Sequence, residues 1–325
     1  MANELKFLPV DEDEFKQNNS LFDRPSNPIG EVQLESTGAL ITKHYVLSAE
    51  KISQMEVRPD DVWVISLPRS GTTLAEEMIW LLNNNLDFEK AKAQNLSKRF
   101  MFLELVAKMK FFKGAGEFDD LDAINRAPSP RHIKSHLPLE LLPKQLVGAV
   151  KPKIFYICRN PKDIAVSQFH FFQMLYRFKG TFDDFAKLFL NEKMNYQPFW
   201  SHVNAFWELS KTHPNIKMIS YEAMNQNLSE VIQDVSKFLN KSVTVDDLEK
   251  LKVHLSFDNM KQNPCINKQE QFLRNKIVNE PKDVQFLRKG EINEWKKTMS
   301  PEIVELFDKW IEKNTKNSDV DTLFR

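Results

Sequence analysis

The sequence predicts an α/β fold, a central parallel sheet flanked by helices on both faces. Short, mostly apolar runs such as residues 62–66 and 153–158 have no polar side, as strands covered on both faces require. Each is followed by apolar positions at helical spacing. Strands and helices then alternate along most of the chain, the pattern of parallel strands joined by helical crossovers.

Composition sets the scale. The chain has 325 residues, with 25 phenylalanines against 8 glycines. Each buried ring removes a large apolar area from water, so a sizeable core is expected, with rings to spare for an apolar cavity. Lys and Arg total 45, as do Asp and Glu. A chain of zero net charge has no global field to steer it to nucleic acid or an acidic membrane, so any anion must be recognised locally. The 2 cysteines, Cys158 and Cys265, make no disulfide framework and suit a reducing compartment. The first residues lack a signal-peptide pattern, and no apolar run approaches the roughly 18 residues of a membrane span. A cytoplasmic protein of one domain is expected over residues 1–325, with 1–40 as a peripheral segment.

Taken in order, the first decisive stretch runs from Val62 to Leu74. Residues 62–66 read as a buried strand; Pro68 ends its pairing and Gly71 permits a tight turn. From Thr72 to Asn83, Ala75, Met78, Ile79 and Leu82 mark one face of a helix. Glu76 and Glu77 are expected in its first turns, where they suit the helix dipole. The connecting loop offers backbone N–H groups, the hydroxyls of Ser70, Thr72 and Thr73, and the cation Arg69, all at a helix N-terminus. That combination suits a phosphate or a sulfate. It is not a Walker loop, which needs Lys after its last glycine, where Thr72 stands here.

Residues 92–113 read as a helix too apolar for full solvation, and 113–131 as a loop with Gly114, Gly116, Pro128 and Pro130. In 131–138 a short strand ends at Pro138, with Lys134 and His136 two apart on one face. Ligands of open α/β sheets gather at such strand ends. A second strand-to-helix junction follows at Arg159, with Asn160 as N-cap, Pro161 at the first helical position and Asp163 in the first turn. Two cations at two such junctions suit a ligand with two separated anionic groups. Residues 198–210 read as an aromatic-rich helix, 216–221 as a strand and 228–239 as an amphipathic helix. Residues 261–285 are polar, aperiodic and broken by Pro264 and Pro281, which fits a lid. The last helix, 301–314, carries an apolar stripe at Ile303, Val304, Phe307, Trp310 and Ile311.

Over roughly residues 45–310 these pieces, in this order, resemble the cytosolic sulfotransferases, whose fold is related to that of nucleotide kinases. The resemblance rests on Leu67-Pro68-Arg69-Ser70-Gly71-Thr72-Thr73, Lys134-Ser135-His136-Leu137-Pro138, and Arg159-Asn160-Pro161-Lys162-Asp163 with Ser167. It continues through Tyr221-Glu222, Ser256-Phe257 with Met260-Lys261-Gln262-Asn263-Pro264, and Arg288-Lys289-Gly290 before Trp295. Any one of these is weak; their order makes the set specific.

The resemblance implies a sulfuryl donor, 3′-phosphoadenosine-5′-phosphosulfate (PAPS), with 3′-phosphoadenosine-5′-phosphate (PAP) as product. The loop Arg69 to Thr73 would hold the phosphosulfate, and Arg159, Ser167, Arg288 and Lys289 the 3′-phosphate. Phe257 and Tyr221 would meet the base, with Leu74, Ser256, Met260, Leu287 and Gly290 completing the nucleotide site. His136 would be the general base toward the acceptor hydroxyl, with Lys134 and Arg69 stabilising charge on the transferring group. Phe102, Leu105 and Phe171 would face the acceptor, a small apolar alcohol or phenol. No metal is implied, and neither nucleic acid nor membrane is an expected partner.

The chain departs from the family in several places. Arg69 replaces the usual Lys, keeping the charge but giving up a releasable proton. Leu74 replaces a Trp that stacks on adenine, and Asn293-Glu294 replaces Gly-Asp. The family's dimer motif is reduced to Lys296, Ser300, Pro301 and Glu305, leaving monomer and homodimer both open. Alternatives to sulfuryl transfer are a P-loop kinase or NTPase, disfavoured by Thr72, and a non-catalytic binder of nucleotide or lipophile. A third is PAPS-dependent dehydration of a retinoid-like allylic alcohol.

Overall fold

The computed structural model describes residues 5–11, 13, 20–23, 30–104, 121–274, 276–278, 286–316 and 318–324. Its centre is a parallel sheet. The strands are β4 (Val62–Ser66), β5 (Met101–Phe102), β6 (His132–Ser135), β7 (Lys153–Cys158) and β8 (Ile216–Ser220), in the spatial order β5-β6-β4-β7-β8. β4, first in sequence, lies in the middle, so its carboxyl end adjoins those of β6 and β7. In register, Ile65 of β4 pairs with Ser135 of β6 and Tyr156 of β7. Arg69, His136 and Arg159 therefore all leave the sheet at one edge.

The period-two alternation of the strands divides the core. Trp63, Ile65, Ile133, Ile154 and Tyr156 face one apolar cluster, and Val62, Val64, Phe155, Ile157 and Ile219 the other. Helix α1 (Thr72–Asn83) and α8 (Leu228–Phe238) cover the second face. The first is covered by α4 (Pro161–Tyr176), α5 (Phe182–Leu190), α6 (Phe199–Ser210) and α11 (Pro301–Thr315). Much of the phenylalanine excess goes here: Phe169, Phe172, Phe178 and Phe185 pack edge to face. Among the described residues no helix is long and apolar enough to cross a membrane.

Several expectations change. Within 92–113, the described residues 92–104 fall in two short helices, α2 (Phe88–Ala93) and α3 (Leu96–Arg99), then β5 on the sheet edge, where Phe102 pairs with Lys134; 105–113 lie outside the described residues. The break comes at Gln94-Asn95, where Arg99 folds back to donate to the Gln94 carbonyl. The expected loop over 113–131 contains a helical turn, Leu121–Arg126. Glu76 and Glu77 are buried ion-pair partners, not solvated dipole partners: Glu76 binds Lys134 at 2.8 Å, and Glu77 binds Arg99 at 2.7 Å and His254 at 2.8 Å. Tyr221 opens helix α7 (Tyr221–Gln226) instead of ending β8, because Ser220 caps the Ala223 N–H. Within 261–285, α10 (Gln269–Arg274) is helical. The N-terminal residues supply an antiparallel sheet of β1 (Phe7–Pro9), β2 (Glu31–Leu34) and β3 (Leu40–Thr42). At the degenerate dimer motif Ser300 accepts from Ile303 N and Pro301 takes the first helical turn, so both start α11. Leu105 lies outside the described residues.

Candidate active site

The loop after β4 is the first wall of a cavity of about 1230 Å³. Arg69 (φ 75°) and Gly71 (φ 94°) both adopt left-handed backbone. For arginine this is a strained conformation, held by its surroundings. Its Nε donates to Ser167 Oγ (3.1 Å) and its Nη2 to the Phe286 carbonyl (2.9 Å), while the guanidinium lies 4.8 Å from the Phe171 ring centroid. Gly71 is required twice over: besides its backbone angle, a Cβ there would stand 2.3 Å from Tyr221 Cδ2. Burial, with Arg159 and Arg288 nearby, pushes the Arg69 pKa down to about 10, so it is a cation at neutral pH.

Arg159 extends from the end of β7 across the Tyr221 ring (4.3 Å) and donates to the Arg69 carbonyl (3.3 Å) and the Glu291 carbonyl (2.9 Å). Its Nε and the Ser70 Oγ are buried and make no hydrogen bond among the described residues. Buried polar groups are nearly always paired, and Arg159 lines the cavity, so its Nε marks a place where a ligand can complete the bonding. Arg288 and Lys289 complete this end. Both bind the buried Glu294 carboxylate, Arg288 Nη1 at 2.6 Å and Lys289 Nζ at 2.8 Å. Gly290 (φ 71°) lies under Phe257, whose Cδ2 a Cβ would meet at 2.4 Å. Leu74, Ser256, Met260 and Leu287 line the same cavity, as do Thr72 and Thr73. Ser256 also caps α9 (Phe257–Gln262), which presents Phe257.

At the other end stands His136. Its Nδ1 is 2.6 Å from the Ser66 carbonyl, which can only accept, so Nδ1 carries the proton and Nε2 has a free lone pair. Nε2 has no partner among the described residues. The backbone is held as well: His136 N donates to Glu104, and the His136 carbonyl accepts from His202 Nε2 (3.1 Å), whose Nδ1 accepts from Tyr156 OH (2.8 Å). Glu104 also accepts from Ser135 Oγ at 2.9 Å. Burial first, then the charge of Lys134, holds the His136 pKa well below its usual value. The imidazole is thus neutral at neutral pH, with its basic nitrogen unspent. Lys134 Nζ lies 5.2 Å from the Phe102 ring, and that ring meets His136 edge-on at 5.2 Å. Tyr196 flanks the imidazole on another side at 5.8 Å.

The structure thus gathers Arg69, Lys134, His136, Arg159, Ser167, Tyr221, Phe257 and Arg288 around one cavity, with Ser70 buried behind the loop. Phe171 lines the cavity but lies against Arg69, not His136. Sequence reasoning missed Tyr196, Glu104, Glu76 and Lys268. No local motif marks them, and each arrives by tertiary packing.

The sulfotransferase domain family matches residues 59–319. Luciferin sulfotransferase of Photinus pyralis is 34% identical over 288 residues, spanning 85% of this chain and 77% of that protein. Human sulfotransferase 1E1 is 32% identical over 286 residues, 87% of this chain and 93% of its own. Among solved structures, retinol dehydratase in complex with androsterone and inactive cofactor PAP superposes with a TM-score of 0.87 at 27% identity, covering 98% of both chains. The same enzyme with retinol and PAP gives 0.84 at 26%. The chain belongs to the sulfotransferase family, enzymes that move a sulfuryl group from a donor to an acceptor.

Proposed function

We propose that this sulfotransferase uses PAPS as donor and transfers its sulfuryl group to the hydroxyl of a small apolar alcohol or phenol, with His136 as general base. The observation that carries the proposal is the His136 ring. Its Nδ1 proton is committed to Ser66, and its Nε2 is free beside Lys134 and an aromatic wall of Phe102 and Tyr196. The donor supplies an activated sulfuryl group on a phosphate leaving group, and PAP remains after transfer. The residues fit such a nucleotide: Arg159 Nε is a buried donor without a partner among the described residues, and cations stand at both ends of the cavity. Arg69 and the loop N–H groups would hold the phosphosulfate, Arg159, Arg288 and Lys289 the 3′-phosphate, and Phe257 and Leu74 the base.

His136 Nε2 takes the acceptor proton as the hydroxyl oxygen turns nucleophile. The Ser66 carbonyl then stabilises the imidazolium through the Nδ1 proton. Lys134 offsets charge growing on the sulfuryl oxygens, and such preorganised contacts are worth about 3 to 4 kcal/mol. Residues 261–285 would act as a lid whose opening limits product release.

His136→Ala is expected to lower kcat by about 10²- to 10⁴-fold, the usual worth of a general base, with PAP affinity unchanged within a few-fold by calorimetry. Full turnover in that variant would refute the base. Because the His136 pKa is depressed, the acid limb of kcat/KM should fall below pH 6.5, since the base form persists as pH drops. An acid limb at or above pH 6.5 would contradict the assignment.

A second outcome from the same site is favoured by one finding, the similarity to retinol dehydratase solved with retinol and PAP. If the acceptor is an allylic alcohol, sulfuryl transfer through the same base would be followed by loss of sulfate. Product analysis with phenols, sterols and retinoids, scoring sulfated against dehydrated products, separates the two.

A further inference from the structure

A lysine with no assigned role enters the reaction centre from the lid segment. Lys268 sits at φ 57°, in a turn fixed by Asn267, whose side chain donates to the Lys261 carbonyl (2.9 Å) and accepts from Gln269 N (3.0 Å). The left-handed turn sends the side chain into the cavity that holds Arg69, Lys134 and His136. Its ammonium rests 4.6 Å from the Phe286 ring centroid, and the Arg69 guanidinium uses the same ring at 5.4 Å. The charged groups facing it are Lys134 from β6, Glu76 from α1 and Arg69 from the loop after β4, and its own charge reaches His136. Glu76 is already bound to Lys134. Among the described residues Lys268 has no carboxylate within ion-pair distance. A half-buried cation among other cations is costly unless an anion joins it.

We propose that Lys268 is a further catalytic residue, closing on the phosphosulfate end of the nucleotide beside Arg69 and Lys134 and protonating the leaving phosphate. The proposal rests on the transfer reaction set out above. In that reaction the acceptor oxygen bonds to sulfur while the bond from sulfur to the bridging oxygen breaks, leaving its electron pair on the 5′-phosphate. The acceptor's proton goes to His136 Nε2, and the proton on the departing oxygen comes from Lys268 Nζ. One proton passed through solvent from His136 to Lys268 restores both. Arg69 cannot readily take this part: its guanidinium holds its proton up to a pKa of about 10. Lys268 can: burial, helped by Lys134 and Arg69, brings its pKa down to about 8.

The test uses the full chain and PAP. Calorimetry at pH 8 in buffers of different ionisation heat should show proton uptake when PAP binds the wild type. Uptake should be lost in Lys268→Met and kept in His136→Ala, which separates this proposal from the assignment of the base. Lys268→Met should lower kcat about 10²-fold and raise the donor KM. Lys268→Arg should keep donor affinity within a few-fold yet remain slow, and should lose the alkaline limb near pH 8 expected for the wild type in kcat/KM. Equal proton uptake in wild type and Lys268→Met overturns the proposal. So does a defect confined to the acceptor KM, which would make Lys268 an acceptor contact, and so does a fast Lys268→Arg enzyme.

Discussion

The two charged ends of the cavity are built on one plan and differ in what their cations can do. Each has a glycine in left-handed backbone beneath an aromatic ring, Gly71 under Tyr221 and Gly290 under Phe257. Each pairs cations with one buried carboxylate, Lys134 with Glu76 and Arg288 and Lys289 with Glu294. At the Arg159 end both Arg159 and Arg288 are arginines, held by carbonyls and a carboxylate, which suits static recognition of a phosphate. At the His136 end a neutral imidazole and Lys268, groups whose protons can move, stand with Lys134. The same architecture thus serves binding at one end and chemistry at the other, and the titratable side chains make the difference.

Breaking the Glu76 pair gives the largest expected effect. Lys134→Met leaves a buried carboxylate without its ammonium, which costs about 3 to 5 kcal/mol. Thermal unfolding should show a lower midpoint than in His136→Ala, and activity should be lost as well. An unchanged midpoint would mean that Lys268 takes over Glu76, which would join the two lysines more closely than the comparison allows.

Arg159→Ala attacks the other end. Charge-assisted hydrogen bonds are worth about 1.5 to 3 kcal/mol, so PAP affinity should fall about 10- to 150-fold while saturated turnover changes little. Unchanged PAP affinity would reject the assignment of Arg159 to the 3′-phosphate. The smallest effect is expected from Glu294→Gln. It frees Arg288 and Lys289 from their carboxylate, so PAP should bind a few-fold tighter by calorimetry. Weaker binding would show that Glu294 orients the arginine more than it competes for it.

Much of the fold was legible because burial on both faces leaves an unambiguous record. The strands at 62–66 and 153–158 and the helix over Thr72–Asn83 follow from local pattern alone. Segments whose partners lie far away in sequence read less well. Phe102 looks helical by composition but pairs with Lys134 as an edge strand, because the sheet offers it hydrogen bonds. Glu76 reads locally as a helix acid suited to the dipole but is claimed by a lysine 58 positions on. Glu104, which holds the His136 backbone, and Tyr196, which flanks its ring, belong to no readable motif.

The sequence by itself determined the four longer strands of the central sheet, the tight loop that requires Gly71, and the cations at two strand ends. These depend on backbone geometry and on neighbours a few residues apart. Only the tertiary structure decided which nitrogen of His136 is free, which carboxylates neutralise which cations, and that Lys268 reaches the reaction centre. Those outcomes depend on desolvation and on distances between distant segments, and no local pattern encodes either.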